Sequence, residues 1–267
     1  MKIGINVWSY PKGLELEKIV VKTKEIGYQG IELAIALEDI ELDRSAFKER
    51  WSKVKDLVAS YNLEVPSIAT GLFWRFNPID VNNLDKALKV VELECIAASI
   101  LGARTILVVP GSAISDLSYE EHYRRAIEFL RKASDIAKDY GIVIGVENVW
   151  NRVFGAPYDF YKLVTEVGRE NVKAYLDVGN TLPHSIPEHW IDVLGRELIA
   201  QIHVKDFSVA ELKFGIPLTG DVNWHAVARR LRAIGYDGYV VAEVPPYRGD
   251  PFKAAEDTYT SLRKIFG

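Results

Sequence analysis

Thiols are nearly absent. A single cysteine, Cys95, excludes an intrachain disulfide and the multi-thiolate frameworks of zinc fingers and iron–sulfur proteins. A reducing, intracellular setting follows as the simplest expectation, and a cytoplasmic location with it. Methionine occurs once and glutamine twice (Gln29 and Gln201), a scarcity that matches the depletion of thermolabile residues in thermophiles. Surplus positive charge is missing as well: 33 Lys and Arg face 37 Asp and Glu, for a formal charge of −4. That balance argues against a nucleic-acid partner. No apolar run approaches the roughly 18 residues of a membrane span, so no membrane partner is expected. The opening Met-Lys-Ile-Gly-Ile-Asn-Val-Trp has no sustained apolar core and no small-residue cleavage site. It reads as a strand, not a secretory leader.

What is present is a repeat. Apolar, β-branched runs lie near 2–7, 30–35, 64–69, 104–109, 142–147, 172–177, 199–204 and 239–244. Their lack of alternation suits strands buried on both faces of a parallel sheet. Amphipathic segments lie between them. One runs from Leu14 to Ile26, and another from Phe47 to Tyr61 with apolar residues at steps of three or four. Ser118–Glu121 and Ser185–Glu188 read as capping boxes, and Asp250-Pro251 opens the last helix. The helix exits repeat too: Ile26-Gly27-Tyr28-Gln29-Gly30 is echoed by Ile234-Gly235-Tyr236-Asp237-Gly238. Eight strand–helix units in 267 residues predict an α/β fold, a single (β/α)8 TIM barrel spanning 1–267 with no linker. An open doubly wound sheet is the competing architecture, but the first strand–helix turn has no Gly-x-Gly-x-x-Gly loop.

A barrel builds its site at the C-terminal ends of its strands. Run five ends in Glu147, run six in Asp177; run seven carries His203 near its end and run eight Glu243. Singly, each is as well explained as a helix cap or a salt bridge. Together they send three carboxylates and an imidazole to one rim, where the carboxylates repel unless a cation neutralises them. One imidazole and several oxygens suit a divalent ion: Mn2+ by preference, with Mg2+, Co2+ or Zn2+ also accommodated. Candidate substrate contacts are Asn6 and Trp8 after strand one, Trp74 in the aromatic loop 71–78, Asn180, and Lys205. Lys205 has the alternative of a salt bridge to Asp206, and the loop aromatics that of packing on the rim. Glu32 sits on strand two and Thr70 ends strand three. His184 and His189 read as surface or capping residues, His122 and His225 as peripheral, and Cys95 as buried structure.

The segments GVEN (145–148), LDVGN (176–180), HVKDF (203–207), TGDVNW (219–224) and IGYDGYVVAE (234–243) together resemble the sugar phosphate isomerase/epimerase family. This family belongs to the xylose isomerase-like barrels. IGINVWSY (3–10) and GYQGIEL (27–33) extend the likeness over nearly the whole chain. The resemblance implies one divalent metal on Glu147, Asp177, His203 and Glu243, with Glu147 and Glu243 as the catalytic acid/base pair. It implies a small-molecule sugar or sugar phosphate as substrate, in a possible homo-oligomer. The pattern is nearest to L-xylulose- and L-ribulose-5-phosphate 3-epimerases. Ketohexose 3-epimerases carry His where Asn180 stands, and an Arg where 208–210 read Ser-Val-Ala. The expected reaction is ketose 3-epimerisation through an enediolate. A keto-inositol dehydratase or a hydroxypyruvate-type isomerase is the alternative on the same site. An endonuclease-IV-like nuclease would need an extra His where Val109 lies. A non-catalytic sugar-binding barrel would have no need of two opposed glutamates.

Overall fold

The computed structural model describes residues 1–267. Its strands are β1 (Lys2–Asn6), β2 (Gly30–Ile35), β3 (Ser67–Thr70), β4 (Thr105–Val108), β5 (Val143–Glu147), β6 (Val172–Asp177), β7 (Ile199–Val204), β8 (Asp206–Ser208), β9 (Lys213–Gly215) and β10 (Tyr239–Ala242). Between them run α1 (Leu16–Ile26), α2 (Leu37–Ile40), α3 (Arg44–Ser60), α4 (Leu84–Leu101), α5 (Tyr119–Asp139), α6 (Pro157–Glu166), α7 (Pro187–Leu198), α8 (Trp224–Ala233) and α9 (Lys253–Phe266). Eight strands close in the order β1-β10-β7-β6-β5-β4-β3-β2, each pair parallel. This is the (β/α)8 TIM barrel.

The expected runs and the observed strands differ at their ends. The third run begins at Glu64, but β3 begins at Ser67, because Pro66 has no N–H to give to a ladder. The fourth and eighth runs, expected to reach 109 and 244, end as strands at Val108 and Ala242. Every barrel strand is buried on both faces over most of its length, which accounts for the absence of alternation. Truncating one of the fully buried isoleucines, such as Ile68 or Ile144, to alanine would cost about 2–5 kcal/mol.

The repeated helix exits are left-handed stops. Gly27 has φ 110° and Gly235 φ 74°, and each passes the chain to a buried tyrosine, Tyr28 or Tyr236. Tyr28 donates to Ala255 O at 2.9 Å and Tyr236 to Tyr239 O at 2.7 Å, so each exit is stitched to the next layer. Ser118 caps α5 through Glu121 N, but Glu121 turns outward to Arg124 and Arg125 instead of closing the box. The expected box at Ser185 is not formed. Ile186 is the N-cap of α7, and Ser185 Oγ accepts from buried Trp190 Nε1 at 2.5 Å instead. Satisfying a buried indole takes precedence over capping an exposed turn.

One element was not foreseen. β8 and β9 form a short antiparallel hairpin on the C-terminal rim, pairing Phe207 with Phe214.

Candidate functional site

Glu147 and Asp177 are the last residues of β5 and β6, His203 is the penultimate residue of β7, and Glu243 directly follows β10. In the closed order these four strands are successive, so the four side chains form an arc with a glutamate at each end. Register aligns Asp177 with His203 and His203 with Val241. One ligand-type atom from each of the four side chains lies within 4.8 Å of all the others. His203 Nδ1 is 3.2 Å from Glu147 Oε1 and 3.8 Å from Glu243 Oε2. Lys205 Nζ reaches Glu243 Oε2 at 2.5 Å and Asp177 Oδ2 at 2.8 Å.

Local chemistry fixes this arc. Asn148 clamps β5 to β6: its Nδ2 donates to Asp177 O at 2.9 Å and its Oδ1 accepts from Asp177 N at 2.7 Å. Asn180 N donates to Asp177 Oδ1 at 2.9 Å, and Asn180 Nδ2 to Asn148 O at 2.9 Å. These bonds explain the asparagines of GVEN and LDVGN. Gly179 between them is required by close approach, since a Cβ there would lie 2.6 Å from Lys205 O. Asp206 ties down the following loop by accepting from Leu218 N, Val222 N and Trp224 Nε1 at 2.8–3.1 Å, which explains TGDVNW.

Beneath the arc lies Glu32, fully buried. Its carboxylate accepts from His203 Nε2 at 2.6 Å, Asn6 Nδ2 at 2.5 Å, Ser67 Oγ at 2.6 Å and Tyr175 OH at 2.5 Å. A carboxylate only accepts, so Nε2 carries a proton and Nδ1 is the nitrogen turned toward the arc. The sequence marked Glu32 on strand two but gave it no role.

The charges are strongly coupled to burial. Burial pushes the Glu147 carboxyl up to about 7, against the pull of His203, with Glu243 adding repulsion. Asp177 is raised by burial, which outweighs Lys205. Burial also opposes ionisation of Glu243, but Lys205 and His203 overcome it and hold this carboxyl below the usual range. His203 is raised well above the ordinary histidine value: burial disfavours its charge, but Glu32 and Glu147 outweigh it. Without a metal, then, the surrounding carboxylates favour the protonated form of His203.

A cavity of about 230 Å³ opens above the arc. Trp8, Trp74, Asn180 and Lys205 line it, with Glu147 and Glu243 at its base. Asn6 lies elsewhere: it is fully buried, and its amide is spent on Glu32 and on Trp8 N at 2.6 Å. Trp150 and Phe214 also line the cavity and were missed. Trp150 was legible as a residue three beyond Glu147; Phe214 depends on the unforeseen hairpin. His184, His189 and His225 are exposed, and none belongs to the arc. His122 is buried, with Nε2 accepting from Ile114 N at 2.8 Å. Cys95 is buried in α4. A wider groove of about 650 Å³ along α5 is lined by charges such as Arg124 and Glu128 that pair with one another.

The four residues fit a divalent cation. Asp177 Oδ2 is buried without a hydrogen-bond partner, although its ion pair with Lys205 is close. Oxygens about 2.0–2.6 Å from one ion lie no more than about 4–5 Å apart, the spread observed here. The donor set leaves room for further oxygen ligands.

Residues 20–265 match the family model of the xylose isomerase-like TIM barrel. The chain belongs to this family. An uncharacterised protein of Methanocaldococcus jannaschii, MJ1311, is 30% identical over 195 residues, which cover 67% of this chain and 64% of that protein. The match thus spans just under two thirds of that relative. The probable L-ribulose-5-phosphate 3-epimerase UlaE of Mycoplasma pneumoniae is 25% identical over 226 residues, 80% of this chain and 71% of that protein. Among solved structures, a D-psicose 3-epimerase crystallised with D-fructose superposes with a TM-score of 0.78 at 21% identity, covering 100% of both chains. The IolI protein with a bound zinc atom gives 0.80 at 19% identity, covering 99% of this chain and 96% of that one. At these identities the structural matches speak for the fold alone. The named family relatives are sugar epimerases and isomerases, and the family is enzymatic.

Proposed function

We propose that this protein is a divalent-metal-dependent ketose 3-epimerase acting on a monosaccharide. The observation that carries this reading is the pair of glutamates at the two ends of one arc, Glu147 on β5 and Glu243 after β10, facing the same histidine nitrogen. Glu147, Asp177, His203 and Glu243 would hold the ion, with Mn2+ favoured over Mg2+, Co2+ or Zn2+. Bound there, the ion would supply Lewis acidity that lowers the cost of charge developing on the sugar oxygens. The name of UlaE supports the reading.

The protein's own part is proton transfer. One glutamate removes the C3 hydrogen as a proton, leaving an enediolate, and the other returns a proton to C3 from the opposite face. The stereocentre is thereby inverted, and the two glutamates exchange roles for the reverse reaction. Asp177 and His203 hold position, and Lys205 supplies a positive charge beside Glu243. The aromatic walls exclude water from the exposed carbanion.

The test is incubation of ketoses in deuterated buffer with metal present. Deuterium at C3 of both epimers is the expected result. Label at C1 would instead identify an aldose–ketose isomerase, water loss a dehydratase, and no label with any ketose a binding barrel. Glu147→Gln and Glu243→Gln should each lose about 10²–10⁴ of turnover while keeping the fold. Near-normal turnover in either would remove the acid/base assignment.

A further inference from the structure

The charge carried by the substrate can be read from the walls of the cavity. Lys205 is the sole cation on them, and its ammonium is committed to Glu243 and Asp177 at 2.5 and 2.8 Å. Three carboxylates, one ammonium and one dication sum to no net charge, and the Glu32 carboxylate beneath His203 adds a negative one, so nothing at the base of the cavity favours an incoming anion. The upper walls are Trp8, Trp74, Trp150 and Phe214. Aromatic faces carry the negative lobe of the ring quadrupole, which attracts C–H surfaces and repels phosphate oxygens.

Other cations exist nearby, but they stand behind two of these walls. Arg152 lines a neighbouring cavity of about 440 Å³ that shares Trp150 and Asn180 with the first. Lys213 and Arg248 line another, of about 640 Å³, that shares Phe214. Trp150 and Phe214 pack against each other with ring centroids 5.0 Å apart, and Phe207 closes the cluster at 5.1 Å from both. Trp150 is further pinned by its Nε1–H to Asn180 O at 2.9 Å. The pair lies between the first cavity and the two neighbouring ones that hold Arg152, Lys213 and Arg248.

Building on the reading of the site as a sugar epimerase, we propose that the substrate is an uncharged monosaccharide and that the Trp150–Phe214 partition discriminates against phosphorylated sugars. A phosphate, with about two negative charges, would be desolvated in this cavity with no free cation to meet it. A cavity of about 230 Å³ lies below the roughly 300 Å³ that opens the range for drug-sized ligands, which agrees with a single sugar unit.

The test separates binding from turnover. D-glucitol and D-glucitol 6-phosphate are inert partners that differ only in the phosphate. Their affinities for the purified protein with Mn2+ are measured by calorimetry and by the fluorescence of the cavity tryptophans. The expected result is at least tenfold tighter binding of glucitol. Equal or tighter binding of the phosphate, or no binding of either, overturns the proposal. Phe214→Ala opens the partition toward Lys213 and Arg248 and should shrink the discrimination at least threefold; unchanged discrimination would overturn the role of the partition. Exchange of deuterium at C3 of a ketose is followed in the same preparations. If the phosphate binds better while C3 exchanges, the charge proposal fails and the epimerase reading stands. If glucitol binds selectively but no ketose exchanges, the epimerase reading fails and the charge selectivity stands.

Discussion

Glu94 is the residue with the clearest energetic signature outside the site. It lies in α4, fully buried, and neither carboxylate oxygen has a hydrogen-bond partner. Burial, with Glu32 adding repulsion, holds its carboxyl well above the usual carboxylate range. The folded protein therefore keeps a proton that the unfolded chain loses above about pH 4.5. The contribution of Glu94 is fully present below that pH and is lost as pH rises toward the folded value, at about 1.4 kcal/mol per pH unit. Glu94→Met should remove this slope and raise stability at neutral pH, as read by urea denaturation between pH 4 and pH 8. Parallel pH profiles for the two proteins would contradict it. Glu32 differs in kind, because its carboxylate has four donors. Glu32→Gln replaces part of that acceptor surface with an amide N–H₂ and frees His203 to turn. Divalent-metal affinity, measured by competition with a chelator, should fall about 10- to 100-fold while circular dichroism stays unchanged. The position of Glu32 was legible on strand two. Its role was not, because Ser67, Tyr175 and His203 come from three other strands and meet only inside the closed barrel.

Among the elements, the hairpin β8–β9 carries Phe214 to the cavity and is anchored to the following loop by Asp206. Asp206 gathers the N–H groups of Leu218 and Val222 and the indole of Trp224, all converging on a carboxylate that is fully buried. Asp206→Ala orphans these donors, each unsatisfied group costing about 1–3 kcal/mol. The expected result is early proteolytic nicking within 208–213 and weakened sugar binding, with the barrel still folded. Cleavage no faster than in the native chain would show that the hairpin holds itself. Repeated exits such as Gly27 and Gly235 were legible because a left-handed stop demands a particular residue type. The hairpin was not, because strands of three residues carry no period to read. Ser185 misled for another reason: its hydroxyl had a choice between a helix end and Trp190, and only packing decides such a choice.

For the whole molecule, the barrel and the arc were legible for one shared cause. A strand buried on both faces must end its apolar run where the rim begins, so a polar residue at that break faces the site. Eight such breaks supplied both the topology and the four clustered side chains. The same reasoning makes the stability of the fold depend on cations. In the metal-free protein, His203 and Lys205 are the groups that offset Glu147, Asp177 and Glu243. A dication in the arc would share that task with Lys205. Lys205→Met leaves two buried carboxylates without their ammonium, and breaking a buried pair in this way costs about 3–5 kcal/mol. The metal-free variant should therefore melt well below the metal-free native protein. Saturating Mn2+ should restore most of the difference, beyond the roughly 2.7 kcal/mol that any ligand at a hundred times its Kd gives to the native chain. Differential scanning calorimetry of both proteins, with chelator and with Mn2+, measures all four terms. Equal stabilisation of native and variant by the ion would mean that Lys205 and the metal do not share these carboxylates.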